Sequence, residues 1–250
     1  MIHVGGTSID VLAAAFAAGV GAAVLAGLVR GFSGFGSALI LSPSLAALYG
    51  PEVAVPVALL LEFALAGPFV PPALKVIDRR RTALLCVAAG LTVPLGAYVL
   101  SVVDDRTLRW AICALVFVAV GILAFGWRYH GRPRAATTAA TGALSGLLGG
   151  STGLTGPPVI FYELSGSAPI ATMRATFIVF FTWVDLIALA SFAITGALAA
   201  RPLLIALLLL APYLAAAGAG AKLFGRASET FYRRLAVGIL AAVAVVSLPL

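Results

Sequence analysis

Two glycine-rich segments contain the residue types and spacing in this chain that best suit the binding of an anion. Residues 27–37 read GLVRGFSGFGS, and residues 146–156 read GLLGGSTGLTG. A shift of 119 positions aligns three glycines of the first segment with three of the second, and aligns Ser33 with Thr152. Glycine-rich backbone at membrane depth is costly unless it lines a cavity. The match therefore indicates one site built from two related segments.

We predict that each segment breaks a membrane helix, so that free N–H groups and helix N-termini face a small anion. Gly156-Pro157-Pro158 favours such a break, because proline cannot continue a helix without distortion. The alternative is that glycines four residues apart let two helices pack closely. The predicted substrate-binding residues of the two segments are Ser33, Gly34, Gly36, Ser37, Ser151, Thr152, Gly153, Thr155 and Gly156.

Three charged residues inside apolar runs complete the predicted site. Glu62 lies in the middle of the run 53–70, and Asp185 lies in the middle of the run 173–195. A charge at this depth is costly unless it is paired, protonated or facing water, so both acids are candidates for proton coupling. Arg174 lies three helical turns before Asp185 and is predicted to attract the anion. The alternatives are structural pairing for the acids and an anchoring role at the helix end for Arg174.

Composition identifies the surroundings of the chain. Of the 250 residues 62% are hydrophobic and 10% are charged, against about 25% charged in an ordinary soluble domain. The net charge of +7 comes from basic clusters between apolar runs, where they act as topology signals rather than as a nucleic-acid surface. The expected partners are the lipid bilayer and a small anionic substrate, with no nucleic acid, no metal and no cofactor. A homo-oligomer is compatible with the sequence.

The elements that must position these residues are membrane helices. We predict an all-α polytopic membrane protein with about eight to ten membrane segments in a single domain over residues 1–250. Its two pseudo-symmetric halves cover about 11–125 and 136–250. Five crossings per half place thirteen basic residues on one side and three on the other, whereas re-entrant glycine segments give eight on each side. The positive-inside rule favours the five-crossing arrangement, in which the halves are inverted.

An enzymatic interpretation rests on one short pattern. Gly31-Phe32-Ser33-Gly34 has the form found around the nucleophile of rhomboid-type intramembrane proteases. Such a serine needs a base within hydrogen-bond reach, and both histidines, His3 and His130, lie outside the apolar runs. We therefore predict that the chain is not an enzyme. A channel-like anion pore remains an alternative, and an intramembrane serine protease is a weaker one.

With these residues the chain resembles the TauE/SafE family of membrane transporters, also called the sulfite-exporter or TSUP family. That family carries a glycine-rich segment followed by a proline near the start of each half. The stretch Met173–Thr176 also resembles the Arg-Ala-Thr stretch of the family's second half. The matching positions are Gly27, Gly31, Gly34, Gly36 and Pro43 in the first half, and Gly146, Gly150, Gly153, Gly156 and Pro157 in the second.

The resemblance implies a secondary transporter of small anions. It points to sulfur-containing substrates such as sulfite, sulfoacetate or other organosulfonates, carried by alternating access. It also implies a multi-pass protein of the cell (inner) membrane. The residues themselves agree on the sign of the substrate charge, because N–H groups, hydroxyls and Arg174 suit an anion.

Overall fold

The computed structural model describes residues 6–33, 36–125, 134–164 and 169–223, together with positions 242, 245, 247 and 248. In this part of the chain all regular structure is helical, as the apolar runs predict. A 3₁₀ turn at Gly67–Phe69 joins two of the helices. The helices are α1 (Gly6–Ser33), α2 (Ala38–Tyr49), α3 (Pro51–Ala66), α4 (Val70–Ala73), α5 (Arg79–Val102), α6 (Asp105–Phe125), α7 (Ala135–Thr152), α8 (Gly156–Leu164), α9 (Ile170–Thr195) and α10 (Ala200–Leu223).

The protein is a membrane protein by the length and composition of its helices. Five spans among the described residues are long and apolar enough to cross a bilayer, which needs about 20 apolar residues. Large apolar side chains such as Leu91, Ile194 and Leu207 are exposed on the outside of the bundle, where lipid would cover them. The five spans are Ala14–Gly31, Pro51–Ala73, Arg79–Val102, Ala171–Thr195 and Ala200–Lys222.

Glycine and proline set the ends of the short helices α2 and α8. Gly50 has a positive φ of 84° and joins α2 to α3, where Pro51 occupies the first turn without losing a needed hydrogen bond. Gly153 ends α7 in the left-handed conformation, with φ 73°, and its N–H bonds to the carbonyl of Gly149. The second break therefore lies between α7 and Gly156, and the two prolines after Gly156 lie in the first turn of α8.

Contacts between helix ends define two faces of the bundle. The first face contains a cavity of about 360 Å³, which is lined by Glu52, Ser101, Thr195 and Arg201. These residues lie at the start of α3, the end of α5, the end of α9 and the start of α10. The second face is the one where Arg81, at the start of α5, pairs with Glu163, at the end of α8.

Helix α1 packs along α10 through the glycines of the first segment. A Cβ built on Gly31 would lie 2.7 Å from the carbonyl carbon of Ala217 and 2.9 Å from the amide nitrogen of Ala221. Gly27 lies one turn earlier and contacts the preceding turn of α10. Residues later in α1 contact residues later in α10. Helix α1 therefore runs parallel to α10, from the first face to the second. These glycines therefore serve close helix packing.

Helix α7 packs along α5 through the equivalent glycines of the second segment. A Cβ on Gly146 would lie 2.7 Å from the Cα of Ala89, and one on Gly150 would lie 2.9 Å from the amide nitrogen of Ala97. Helices α5 and α7 are parallel and run from the second face to the first. The contact residue Ala97 precedes Ala221, its counterpart on α10, by 124 positions, so the two helix pairs use equivalent contacts.

Candidate functional site

The two glycine breaks meet at one cavity in the centre of the bundle. The cavity has a volume of about 30 Å³ and lies where α2 and α8 begin. Its apolar wall includes Leu39, Leu59 and Phe181, and its charged lining consists of Arg30, Glu62 and Asp185. A cavity of this size holds about one or two water molecules. A larger anion can therefore enter only if the surrounding helices separate.

Helix α2 begins beside the cavity, directly after the first break. Gly36 lines the cavity with a positive φ of 93°, a conformation that glycine adopts readily. The next residue, Ser37, is fully buried and donates its hydroxyl hydrogen bond to Oε1 of Glu62. Ser33 lies in the last turn of α1, where its side chain is outside the described part, and Gly34 is also outside it.

Helix α8 begins on the opposite side of the cavity, directly after the second break. Gly153, Leu154, Thr155 and Gly156 all line the cavity. The hydroxyl oxygen of Thr155 is buried and has no hydrogen-bond partner among the described residues. The N-termini of both short helices therefore border the cavity, and the positive ends of their dipoles favour an anion there.

Ser151 and Thr152 of the second segment use their hydroxyls within α7. Ser151 donates to the carbonyl of Leu147 at 2.8 Å, and Thr152 donates to that of Leu148 at 2.7 Å. Neither residue is among those that line the cavity. The backbone carbonyl of Thr152 accepts a hydrogen bond from Ser42 of α2, so α2 is joined directly to the end of α7. Ser151 and Thr152 therefore stabilise the end of α7 and do not form part of the cavity wall.

Arg30, one of the thirteen basic residues that the five-crossing arrangement places on one side of the membrane, is a buried cation at the cavity. It is 6% exposed, and its Nη1 lies 3.6 Å from Oε2 of Glu62. Its guanidinium carbon lies 5.9 Å from the centre of the Phe181 ring, close enough for a cation–π contact. A charge inside an apolar run directly before a glycine break was the signal that could have identified it.

Both predicted acids line the cavity, whereas Arg174 does not. Glu62 and Asp185 are 6% and 2% exposed, and Oδ2 of Asp185 has no hydrogen-bond partner among the described residues. Arg174 is exposed near the start of α9. Although Arg174 and Asp185 are three turns apart on one helix, only Asp185 reaches the centre of the bundle. The cation that lines the cavity is therefore Arg30, and not Arg174 as predicted.

A further buried group lies close to these charges. Tyr213 of α10 is fully buried, and its phenol is within electrostatic range of Arg30, Glu62 and Asp185. It occupies a part of α10 that packs on Gly27 of α1. The position of Arg30 thus depends on the same helix contact that the first glycines make.

A comparison with protein families matches nearly the whole chain to one family. Residues 19–247 match the model of the family described as Sulfite exporter TauE/SafE. No curated protein and no solved structure matches the chain. The family match covers both glycine segments and all the cavity residues named above.

Proposed function

The chain belongs to the sulfite exporter TauE/SafE family, a family of membrane transporters, and from this premise we propose that it carries small anions by alternating access. The observation that carries the proposal is the central cavity. Both glycine breaks, two helix N-termini and the guanidinium of Arg30 converge there. These are the groups with which a protein binds an anion inside a membrane.

The proposed substrates are small sulfur oxyanions, namely sulfite, sulfoacetate or another organosulfonate. The family description supports sulfite, and the positive groups of the cavity support an anion. The cavity residues proposed to contact the substrate are Arg30, Gly36, Gly153, Thr155 and Gly156. The proposed location is the cell inner membrane.

Two barriers around the cavity support alternating access. Toward the first face, Val55, Leu59 and Phe192 belong to one buried apolar cluster between the central cavity and the larger one. Toward the second face, the Arg81–Glu163 ion pair joins the start of α5 to the end of α8. We propose that each barrier opens in turn. Transport to the second face then requires the ion pair to separate.

The course of the chain supports inverted repeats as the source of this motion. Helix α1 begins at the first face, whereas α7, its counterpart after the 119-residue shift, begins at the second. Each pairs through glycines with a helix of the other half. Two halves related in this way can exchange conformations, which is how alternating access arises in many secondary transporters.

Counterflow in proteoliposomes tests the proposal. Vesicles preloaded with unlabelled sulfite, sulfoacetate or acetate are diluted into the labelled anion, with and without a pH gradient. We expect saturable exchange of a sulfur oxyanion that is stronger than exchange of acetate. Linear, non-saturable flux would instead identify a channel-like pore. No exchange of any of the three anions by folded protein would refute the proposal.

A further inference from the structure

We propose that Arg30 is the residue that binds the anion, and that Glu62 stays paired with Arg30 until Glu62 takes up a proton. This inference rests on the proposed function, because it assigns the binding group and the competing group of the same site. The carboxylate of Glu62 and the substrate then compete for one guanidinium. Binding of the anion and binding of the proton become a single linked event.

The geometry of Arg30 suits a cation that changes partners. A guanidinium remains charged at all physiological pH values, so a buried arginine needs an anionic partner. Its partner here is Glu62, but the 3.6 Å separation is longer than the 2.7–2.9 Å of a charge-assisted hydrogen bond. The guanidinium also lies over the face of Phe181, which does not neutralise it. The pair is therefore loose, and both partners line the cavity into which an anion would enter.

The charges of the cavity favour anion binding that is coupled to a proton. Arg30 contributes one positive charge, and Glu62 and Asp185 contribute two negative charges when both are ionised. The three ionised side chains thus sum to one negative charge, which offsets the positive ends of the two helix dipoles and weakens the attraction for an anion. One proton makes this sum zero and two make it positive. An anion that pairs with Arg30 therefore binds more tightly when at least one proton arrives with it.

Glu62 is the competing group, because its two oxygens have separate partners. Oε2 faces Arg30 of α1, and Oε1 accepts the hydrogen bond of Ser37 at the first glycine break. Protonation neutralises Glu62 and releases Arg30 to the incoming anion, while the carboxyl group keeps its hydrogen bond to Ser37. Deprotonation reverses each step and expels the anion. The proton goes to and from the carboxyl of Glu62, so charge is conserved throughout.

Among the described residues, two other titratable groups lie near Glu62 on the helices packed around it. Asp185 of α9 and Tyr213 of α10 both lie within electrostatic range of the Arg30–Glu62 pair. Asp185 makes the cavity more negative, so its ionised form strengthens the need for a proton at Glu62. Tyr213 is a neutral phenol unless it ionises, and it contributes no charge to the competition in its neutral form.

Direct binding of labelled sulfite and sulfoacetate to the purified, detergent-solubilised protein between pH 6 and 8 tests the inference. Sulfoacetate keeps both of its negative charges in this range, so its pH dependence reports on the protein. For one linked proton, wild-type affinity should rise up to about tenfold for each unit of falling pH. Glu62→Gln removes the competing charge. We expect it to bind at least about tenfold more tightly than wild type at pH 8, with a flatter pH profile.

Three further variants make the result specific. Arg30→Gln combined with Glu62→Gln removes one positive and one negative charge together, so the variant avoids an unpaired buried charge, and it should bind neither anion. Arg30→Lys keeps the charge but loses the planar donor group, and it should bind both anions more weakly. Glu52→Gln, an exposed position on the same helix α3, should keep the wild-type profile.

Each result separates the inference from the proposed function. If Glu62 only holds the structure together, Glu62→Gln should bind the anions more weakly than wild type, and that outcome would overturn the inference. The proposed function would still stand, because the wild-type protein would bind the anions. Undiminished binding by the Arg30/Glu62 double variant would overturn it as well. If folded wild-type protein binds neither sulfite nor sulfoacetate, the proposed function fails for these anions, and the inference fails with it.

Discussion

Replacing Gly31 by alanine should destabilise the protein by separating α1 from α10. The new Cβ would lie 2.7 Å from the carbonyl carbon of Ala217, whereas carbon atoms ordinarily pack about 3.5–4.0 Å apart. The obstacle is backbone, so the helices themselves must move by roughly 1 Å, which forfeits about half of the local dispersion energy. Overpacking of this kind lowers the free energy of unfolding by about 1–3 kcal/mol.

Gly21→Ala provides a matched control in the same helix. A Cβ at Gly21 meets no atom within 4 Å, so this substitution adds only helix propensity, worth up to about 1 kcal/mol in favour of folding. The two variants should therefore differ in unfolding free energy by about 1–4 kcal/mol. For a chain of this length that corresponds to a difference in Tm of roughly 2–16 °C.

Thermal unfolding in detergent, followed by the loss of the monodisperse peak in size-exclusion chromatography, measures both variants against wild type. Gly31→Ala should lower the apparent Tm, and Gly21→Ala should leave it unchanged or raise it. Equal Tm values for the two variants would show that α1 and α10 do not pack through Gly31. The assignment of the first glycines to helix packing would then be wrong.

Two more predictions concern the second break and the second face. Gly153 and Gly196 have nearly the same left-handed conformation, with φ 73° and 79°, and neither has a neighbour that a Cβ would strike. Alanine at either position should cost about 1–2 kcal/mol of backbone strain, but only Gly153→Ala should abolish counterflow, because only Gly153 lines the central cavity. Equal losses of counterflow would place the site elsewhere. Arg81→Gln should lower the free energy of unfolding by up to about 3–5 kcal/mol, because it leaves the buried carboxyl group of Glu163 without its partner, and Glu163→Gln should lower it by less, because the side chain of Arg81 is 19% exposed. In a double-mutant cycle, the exchange of the two residues, Arg81→Glu with Glu163→Arg, should recover part of the loss caused by Arg81→Glu alone and by Glu163→Arg alone; no recovery would show that the pair does not couple α5 to α8.

Sequence patterns predicted the elements and the breaks because both are local properties. Apolar runs of about 20 residues form membrane helices whatever their neighbours are. The break after Thr152 follows from glycine, which alone adopts the left-handed conformation cheaply, and from the prolines that can only begin the next helix. The mid-helix depth of Glu62 and Asp185 was likewise evident from their position in apolar runs, and both line the cavity.

The roles of the individual glycines could not be separated from the sequence. Gly27, Gly31, Gly146 and Gly150 contact other helices, whereas Gly36, Gly153 and Gly156 line the cavity. Close helix packing therefore accounts for the first group, whereas the second group lies at the cavity to which we assign the anion. All of these positions are glycines in the same sequence pattern. Whether a given glycine packs against a helix or lines the cavity depends only on what lies next to it in the fold.

By itself the sequence determined a helical membrane protein of this transporter family, with two related glycine breaks and acids at membrane depth. Only the tertiary structure decided that Arg30 rather than Arg174 meets those acids. The reason is physical. A break or a span depends on consecutive residues, whereas the partner of Arg30 depends on how α1, α3 and α9 pack, and these helices are joined only by contacts between residues distant in the chain.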